Sequence, residues 1–345
     1  MTALALRRPA GHPDLVFHRQ PVARFRDHAS RVVDHPSGFL ALSSRNHVFS
    51  VDGHAGFIAY REQGRHIVAF GGVHAAPESQ GLLVDRFLEF AAGRHRRVMV
   101  VQLRSSQVDL FASRGFTVNA LGTSFAVTLR GFTLAGTKKM KLRNKIKRAQ
   151  SEGLIVEEVG RELPRSKATF AGLRDVSADW LAAKGKKELE FMIGELGDED
   201  DLDRRTFVVS DRARQPQAFI TYVPVWGTRP GVLHDLTRKR PTAPVGALEL
   251  CNSFALARFM AEHLDFLHFG FTPFIVEPET GPGASRILHW LVVQLRHYGQ
   301  IIYPADSQAS YKLKWGPDIL EQEYVAARPL GPRAILDLLM LTRAV

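Results

Sequence analysis

The chain of 345 residues is long enough for about two domains at roughly 150 residues each, and its 45% apolar content suffices for packed cores. Its 46 Lys and Arg against 35 Asp and Glu leave a formal net charge of +11, which favours an anionic partner: nucleic acid, a phospholipid headgroup or a phosphorylated small molecule. One cysteine, Cys251, excludes an intramolecular disulfide and a Cys-rich metal cluster, and no uncharged apolar run reaches the about 18 residues of a membrane-spanning helix.

Residues 1–35 read as a basic N-terminal arm with neither a secretory signal nor a transit peptide. Val22, Phe25, Ala29, Val32 and Val33 give it one helix, stopped by His35-Pro36-Ser37-Gly38. A first unit then fills 36–134. Its runs Gly56–Tyr60 and Ile67–Gly71, separated by Glu62-Gln63-Gly64-Arg65, predict a hairpin. Leu82, Leu83, Phe87 and Phe90 recur at helical spacing, the run Val98–Val101 reads as a strand, and Val108–Phe116 gives a short helix closed by Gly115.

A basic linker helix at 135–153 follows, carrying Lys138, Lys139, Lys141, Arg143, Lys145, Lys147 and Arg148, with Leu142, Ile146 and Ala149 on one face to dock it. No acid interleaves for i,i+4 pairing before Glu152, so the cations either stay solvated or meet an external polyanion. The order of elements then repeats in 154–328. Thr206–Ser210 and Ala218–Val223 form a hairpin, Val232–Leu236 a strand, Leu248–His263 a helix and Phe266–Gly270 the next strand. This repetition predicts an α/β fold with a duplicated unit. The tail, 329–345, reads as a terminal helix docking Ile335, Leu338, Leu339 and Leu341 on the body, with a membrane surface as its other seat.

Phosphate-loop, dinucleotide-fold, zincin and nucleophile-elbow motifs are absent, so no metal and no cofactor is assigned. Gly136-Thr137-Lys138-Lys139, Leu142-Arg143-Asn144-Lys145-Ile146-Lys147-Arg148, Glu152-Gly153 and Ser177-Ala178-Asp179-Trp180-Leu181 come first in an ordered set. Asp235-Leu236-Thr237-Arg238-Lys239-Arg240, Ala243-Pro244-Val245-Gly246 with Glu249, His268–Pro273 and Tyr311-Lys312-Leu313-Lys314-Trp315-Gly316-Pro317 complete it. Across 38–328 this set resembles the catalytic domain of the bacterial phosphatidylglycerol aminoacyltransferases, the multiple peptide resistance factor family.

The resemblance implies a tandem pair of acetyltransferase-like (GNAT) folds joined by the basic helix, moving an amino acid from aminoacyl-tRNA to a hydroxyl or amine. Neither Pro77–Leu82 nor Thr242–Ala247 offers the loop that grips the pyrophosphate of acyl-CoA, which argues against that donor. Glu249 stands where the family more often has aspartate, and the membrane segment of lipid-modifying members has no counterpart here. The expected acceptor is therefore a small molecule of a natural-product type pathway, in the cytoplasm. The alternatives are phosphatidylglycerol, reached peripherally at the inner membrane face, and a non-catalytic RNA-binding protein.

By the same resemblance the second unit carries the chemistry. Asp235 would hold the donor's α-ammonium or take the nucleophile's proton, with Glu249 beside it, and Arg238 and Arg240 would grip the tRNA 3′ end. Lys312 and Lys314 alternate with Tyr311, Leu313 and Trp315, so a strand would put both lysines on one face, where Lys312 would stabilise the oxyanion and Lys314 and Tyr311 would touch substrate. The seven cations of the linker helix would bind tRNA.

Overall fold

Alternating burial along the strands builds a sheet covered on both faces. The computed structural model describes residues 28–184, 191, 194–276, 284–298, 305–329 and 331–343. A helical stretch at 28–32 is all that lies within them of the expected N-terminal helix; Val22 and Phe25 fall outside. The first half contains β1 (His47–Phe49), β2 (Phe57–Gln63), β3 (His66–His74), α1 (Pro77–Gly93), β4 (Arg97–Arg104), α2 (Val108–Ala112) and β5 (Thr117–Thr128). The linker helix is α3 (Met140–Ser151). The second half has β6 (Ile155–Glu158), α4 (Lys167–Lys184), β7 (Arg205–Ser210), β8 (Pro216–Val225), β9 (Gly231–Lys239), α5 (Ala247–Ala261) and β10 (Phe266–Pro273). It closes with α6 (Arg286–Tyr298), α7 (Ala305–Leu313), β11 (Ile319–Ala327) and α8 (Pro332–Leu341).

The strands form one sheet in the order β1-β2-β3-β4-β11-β5-β10-β9-β8-β7-β6. Two pairs are parallel, β3 with β4 and β9 with β10, and each is bridged by a helix, α1 or α5. This is the acetyltransferase-like unit, twice. The two units share their sheet rather than abut. β11, expected in the second half, lies between β4 and β5: Ala326 pairs with Val100 on one side and Val118 on the other. A cut at 154 therefore separates β11 from both its neighbours.

Side-chain alternation explains the layers. Along β4, Val98 and Val100 pack with Phe87 and Phe90 of α1, whereas Met99 and Val101 face Ala334 and Leu341 of α8. Along β8, Ile220 and Tyr222 face α5, whereas Phe219 faces Phe170, Leu173 and Val176 of α4. Leu142, Ile146 and Ala149 bury one side of α3 in the α5 core, as their spacing predicts. In α8, Ile335 and Leu338 also pack inward and Leu339 is half-buried. No sequence pattern marks Asp337, whose buried carboxylate accepts the Arg65 amide at 3.0 Å and meets His66 Nδ1 at 2.7 Å, tying α8 to the β2–β3 turn. No helix among the described residues is long and apolar enough to cross a membrane.

Candidate active site

In each unit the parallel pair stops and its strands diverge, and the two openings are filled differently. In the first, β3 and β4 part after Phe70 and Val101. Gln107 enters the gap, accepting the Val73 amide at 3.0 Å and donating to the Val73 carbonyl at 2.7 Å. The fit is tight enough that a Cβ at Gly72 would lie 2.1 Å from Gln107 Oε1. His35 Nε2 donates to the Gln102 carbonyl at 2.9 Å, its Nδ1 accepts the Ser37 amide, and burial pushes this ring down to about 3, so it is neutral. The first opening is closed by the protein's own side chains.

In the second, β9 and β10 part after Leu233 and His268. The gap is lined from α5 and α7 by side chains with chemistry to offer. His234 points to the α5 face, with Nδ1 3.3 Å from Asn252 Oδ1 and Nε2 2.7 Å from Thr237 Oγ1. Tyr222 donates to the same Asn252 oxygen at 2.5 Å. An amide oxygen only accepts, so Nδ1 of His234 carries the proton and the Thr237 hydroxyl donates to Nε2. Burial, aided by the Lys312 cation, lowers His234 to about 3 and keeps it neutral. The Tyr311 ring stands 5.8 Å from that of His234; its hydroxyl and Asn252 Nδ2 are buried with no hydrogen-bond partner among the described atoms.

Two lysines complete this cluster, and they do not act as a strand pair. Tyr311 and Lys312 belong to α7, and Lys314 and Trp315 follow in its closing turn, so the alternation that predicts a strand here is carried by a helix end. Lys312 points into the sheet, where Nζ donates to the carbonyls of Gly270 at 2.8 Å and Phe271 at 2.9 Å beside a β-bulge of β10. Lys314 turns the other way and donates to Glu249 Oε1 at 2.7 Å, over the face of Tyr311. Lys145 of the linker helix reaches the same oxygen at 3.2 Å. Burial alone would raise Glu249, but Lys314 and Lys145 hold it below the ordinary carboxylate value. Burial lowers Lys312 to about 7, with Glu323 pulling the other way. Glu323, raised by burial to about 8, accepts the Ser124 hydroxyl.

Asp235 does not join them. It lies within β9, and its side chain, 2% exposed, is ion-paired to Arg204. Arg204 also reaches Phe39, and Leu233, two residues before Asp235, packs on Phe39 as well. Asp235 thus faces away from His234 and from Lys312, because successive strand residues alternate. Burial raises Asp235 to about 6 against the pull of Arg204. Arg238 is buried, its guanidinium 4.1 Å from the Trp180 ring centre, with Lys184 Nζ at 4.0 Å. Trp180 is thus a half-buried platform for cations, and Arg240 is paired with Asp179.

Along α3 and the turn Thr137–Lys139 that precedes it, the cations divide. Lys139 donates to the Thr133 carbonyl, Arg143 to those of Leu134 and Gly136, Lys145 to Glu249, and Arg148 lies 4.0 Å from Glu152. Lys138, Lys141 and Lys147 point to solvent. The α5 N-terminus, which could otherwise receive an anion, is covered by this helix: a Cβ at Gly246 (φ +94°) would fall 2.1 Å from the Lys145 carbonyl oxygen. His234, Asn252, Tyr222 and Thr237 are site residues that the sequence does not announce. The one signal is a lone amide, Asn252, among the apolar positions of α5.

Known proteins resemble this chain in sequence and in shape. The Lysylphosphatidylglycerol biosynthesis bifunctional protein LysX of Mycobacterium marinum is 26% identical over 284 residues, covering 81% of this chain and 25% of that protein. The Phosphatidylglycerol lysyltransferase of Staphylococcus xylosus is 26% identical over 187 residues, 54% of this chain and 22% of that one. The chain thus spans about a quarter of the length of the curated relatives it matches. The structure of L-PGS from Bacillus licheniformis superposes with a TM-score of 0.78 at 20% identity, covering 94% of this chain and 97% of that chain, a likeness of fold. The profile of the family described as "Phosphatidylglycerol lysyltransferase, C-terminal" matches residues 25–327, and the chain belongs to that family.

Proposed function

We propose that this chain transfers an aminoacyl group from aminoacyl-tRNA to phosphatidylglycerol at the second opening of its sheet. The observation that carries the reading is the meeting of Lys145 and Lys314 on Glu249. It joins the cationic helix to the buried cluster, so an RNA held along α3 would have its 3′ end at the opening. Lys138, Lys141 and Lys147 are the cations offered to phosphates. The covered α5 N-terminus supports the same donor, since an acyl-CoA pyrophosphate would need that place. For the acceptor, the names of the relatives favour phosphatidylglycerol over the small molecule expected from the sequence.

The transfer exchanges one ester for another. The acceptor hydroxyl attacks the aminoacyl carbonyl and loses its proton, and the ribose oxygen leaves and gains one. Lys312, near neutrality in pKa, can exist in either form at physiological pH, which suits a group that moves a proton or meets an oxyanion. His234, locked neutral between Asn252 and Thr237, fixes the wall of the opening. The test is to incubate the protein with radiolabelled aminoacyl-tRNAs and phosphatidylglycerol vesicles and to separate lipid from water-soluble products. Label in the lipid is expected; label released only into water, or into a small-molecule product, would overturn the lipid reading.

A further inference from the structure

The outer side of α8 is built unlike the side that docks. Ala334, Asp337 and Leu341 are buried, whereas Leu336 and Met340 remain 42% and 47% exposed. These two are four residues apart, so they lie one above the other; Arg333, 3.1 Å from Asp337, stands at the start of the same stripe, and Arg343 follows just past the end of the helix. The Asp337 carboxylate fixes the helix over the β2–β3 turn, and the surface beside that turn is basic. Arg65 and Arg97 are joined there, the Arg97 amide donating to the Arg65 carbonyl at 3.0 Å. Arg94 and Arg96 come next and share one acid, Glu62. Aliphatic side chains raised between arginines fit the boundary between headgroups and acyl chains, with the guanidinium groups at lipid phosphates. Leu and Met offer no ring face on which bases could stack, which disfavours an RNA.

We propose that α8, through Leu336 and Met340 framed by Arg333, Arg343, Arg65 and Arg97, is the surface by which this chain settles on an anionic lipid bilayer. This rests on the lipid-acceptor reading and gives it a place on the molecule. The docked side of α8 needs neither exposed residue, so changing them leaves the fold intact, and they lie outside the cluster around His234.

The probe is sedimentation with vesicles of phosphatidylglycerol and phosphatidylcholine, against phosphatidylcholine alone, for the full chain and two double variants. Leu336→Asp with Met340→Asp should lower partitioning onto the anionic vesicles at least tenfold. Arg65→Gln with Arg97→Gln should lower it about fivefold per arginine and flatten its salt dependence. Should the aspartates disturb folding, seen as a fall in Tm, Leu336→Ser with Met340→Ser replaces them with the same expectation. Transfer to a short-chain, water-soluble phosphatidylglycerol should be unchanged in all variants. Vesicle binding that ignores the α8 substitutions would overturn this assignment. Failure of the unmodified chain to use the soluble lipid would instead overturn the proposed function and leave the vesicle result standing on its own.

Discussion

Glu323→Gln should remove a loss of stability that this protein undergoes as pH rises from about 4.5 to about 8. The carboxyl is 2% exposed, and burial raises it from 4.5 to about 8, so the folded state holds a proton there that the unfolded chain releases near 4.5. At about 1.4 kcal/mol per pH unit, the difference amounts to on the order of 5 kcal/mol. The sign follows from the raised value: the contribution is fully present below 4.5 and is lost as pH rises to about 8. Gln keeps an oxygen for the Ser124 hydroxyl and cannot ionise, so it resembles the protonated acid at every pH. Any fixed cost of the extra amide hydrogens shifts the curve without tilting it. Lys312, whose lowered value makes stability rise between about 7 and 10.5, loses the upward pull of Glu323 in the variant, so its value falls further and its contribution adds to the climb rather than opposing it. Urea unfolding from pH 5 to 9 is the assay. The stability of the variant relative to the parent should climb steadily up to pH 8 and then level. Parallel curves would refute a buried, protonated Glu323.

Changing Lys138, Lys141 and Lys147 together to Gln should weaken tRNA binding and reduce the slope of log K against log salt by about 0.9 for each phosphate that is no longer neutralised, as measured by filter binding; an unchanged slope would remove α3 from the tRNA surface. Asp235→Asn should cost about 1–3 kcal/mol in unfolding free energy by weakening the buried Arg204 pair, since Arg204 keeps Asp201 at 3.0 Å, and a normal stability with lost transfer would return Asp235 to a catalytic role. Lys312→Ala should slow single-turnover transfer by about 10² while tRNA affinity stays within a few-fold, and an unaltered rate would exclude Lys312 from the chemistry. Ile146→Ala should cost about 2–5 kcal/mol by opening a cavity beneath α3, read by urea unfolding.

Local periodicity carries much of the fold. The linker helix is legible because its apolar residues recur at helical spacing among cations of one sign, and the β2–β3 hairpin because a polar turn parts two apolar runs. The segment at 311–315 misleads for the same reason: cation and apolar side chains alternate there over five positions, which mimics a strand, while the helix that holds them begins earlier, at Ala305, in a polar stretch with little pattern. The partners of Asp235 are hidden differently. Arg238 is close in sequence and Arg204 is not, and only the fold brings Arg204 across. His234 cannot be separated from the apolar strand around it until α5 places Asn252 opposite, so the candidate site is half visible: Glu249 meets Lys314 beside Tyr311 and Lys312 turns from the same helix into the sheet, while Asp235, Arg238 and Arg240 stand elsewhere.

The place of β11 between β4 and β5 bears on how the molecule is made. As the chain emerges from the ribosome, β4 and β5 are complete long before the strand that must part them, and each waits with an open edge. Direct closure of β4 on β5 would satisfy both edges and shut β11 out, so the nascent first half faces a competing pairing of its own strands. The pairings of β11 also span most of the chain, which makes the closing step slow in the way of other long-range sheets. Expression of the first half alone would on this account yield an aggregating or mispaired fragment, and supplying the second half in trans would rescue it only by threading a strand into a gap that has already begun to close.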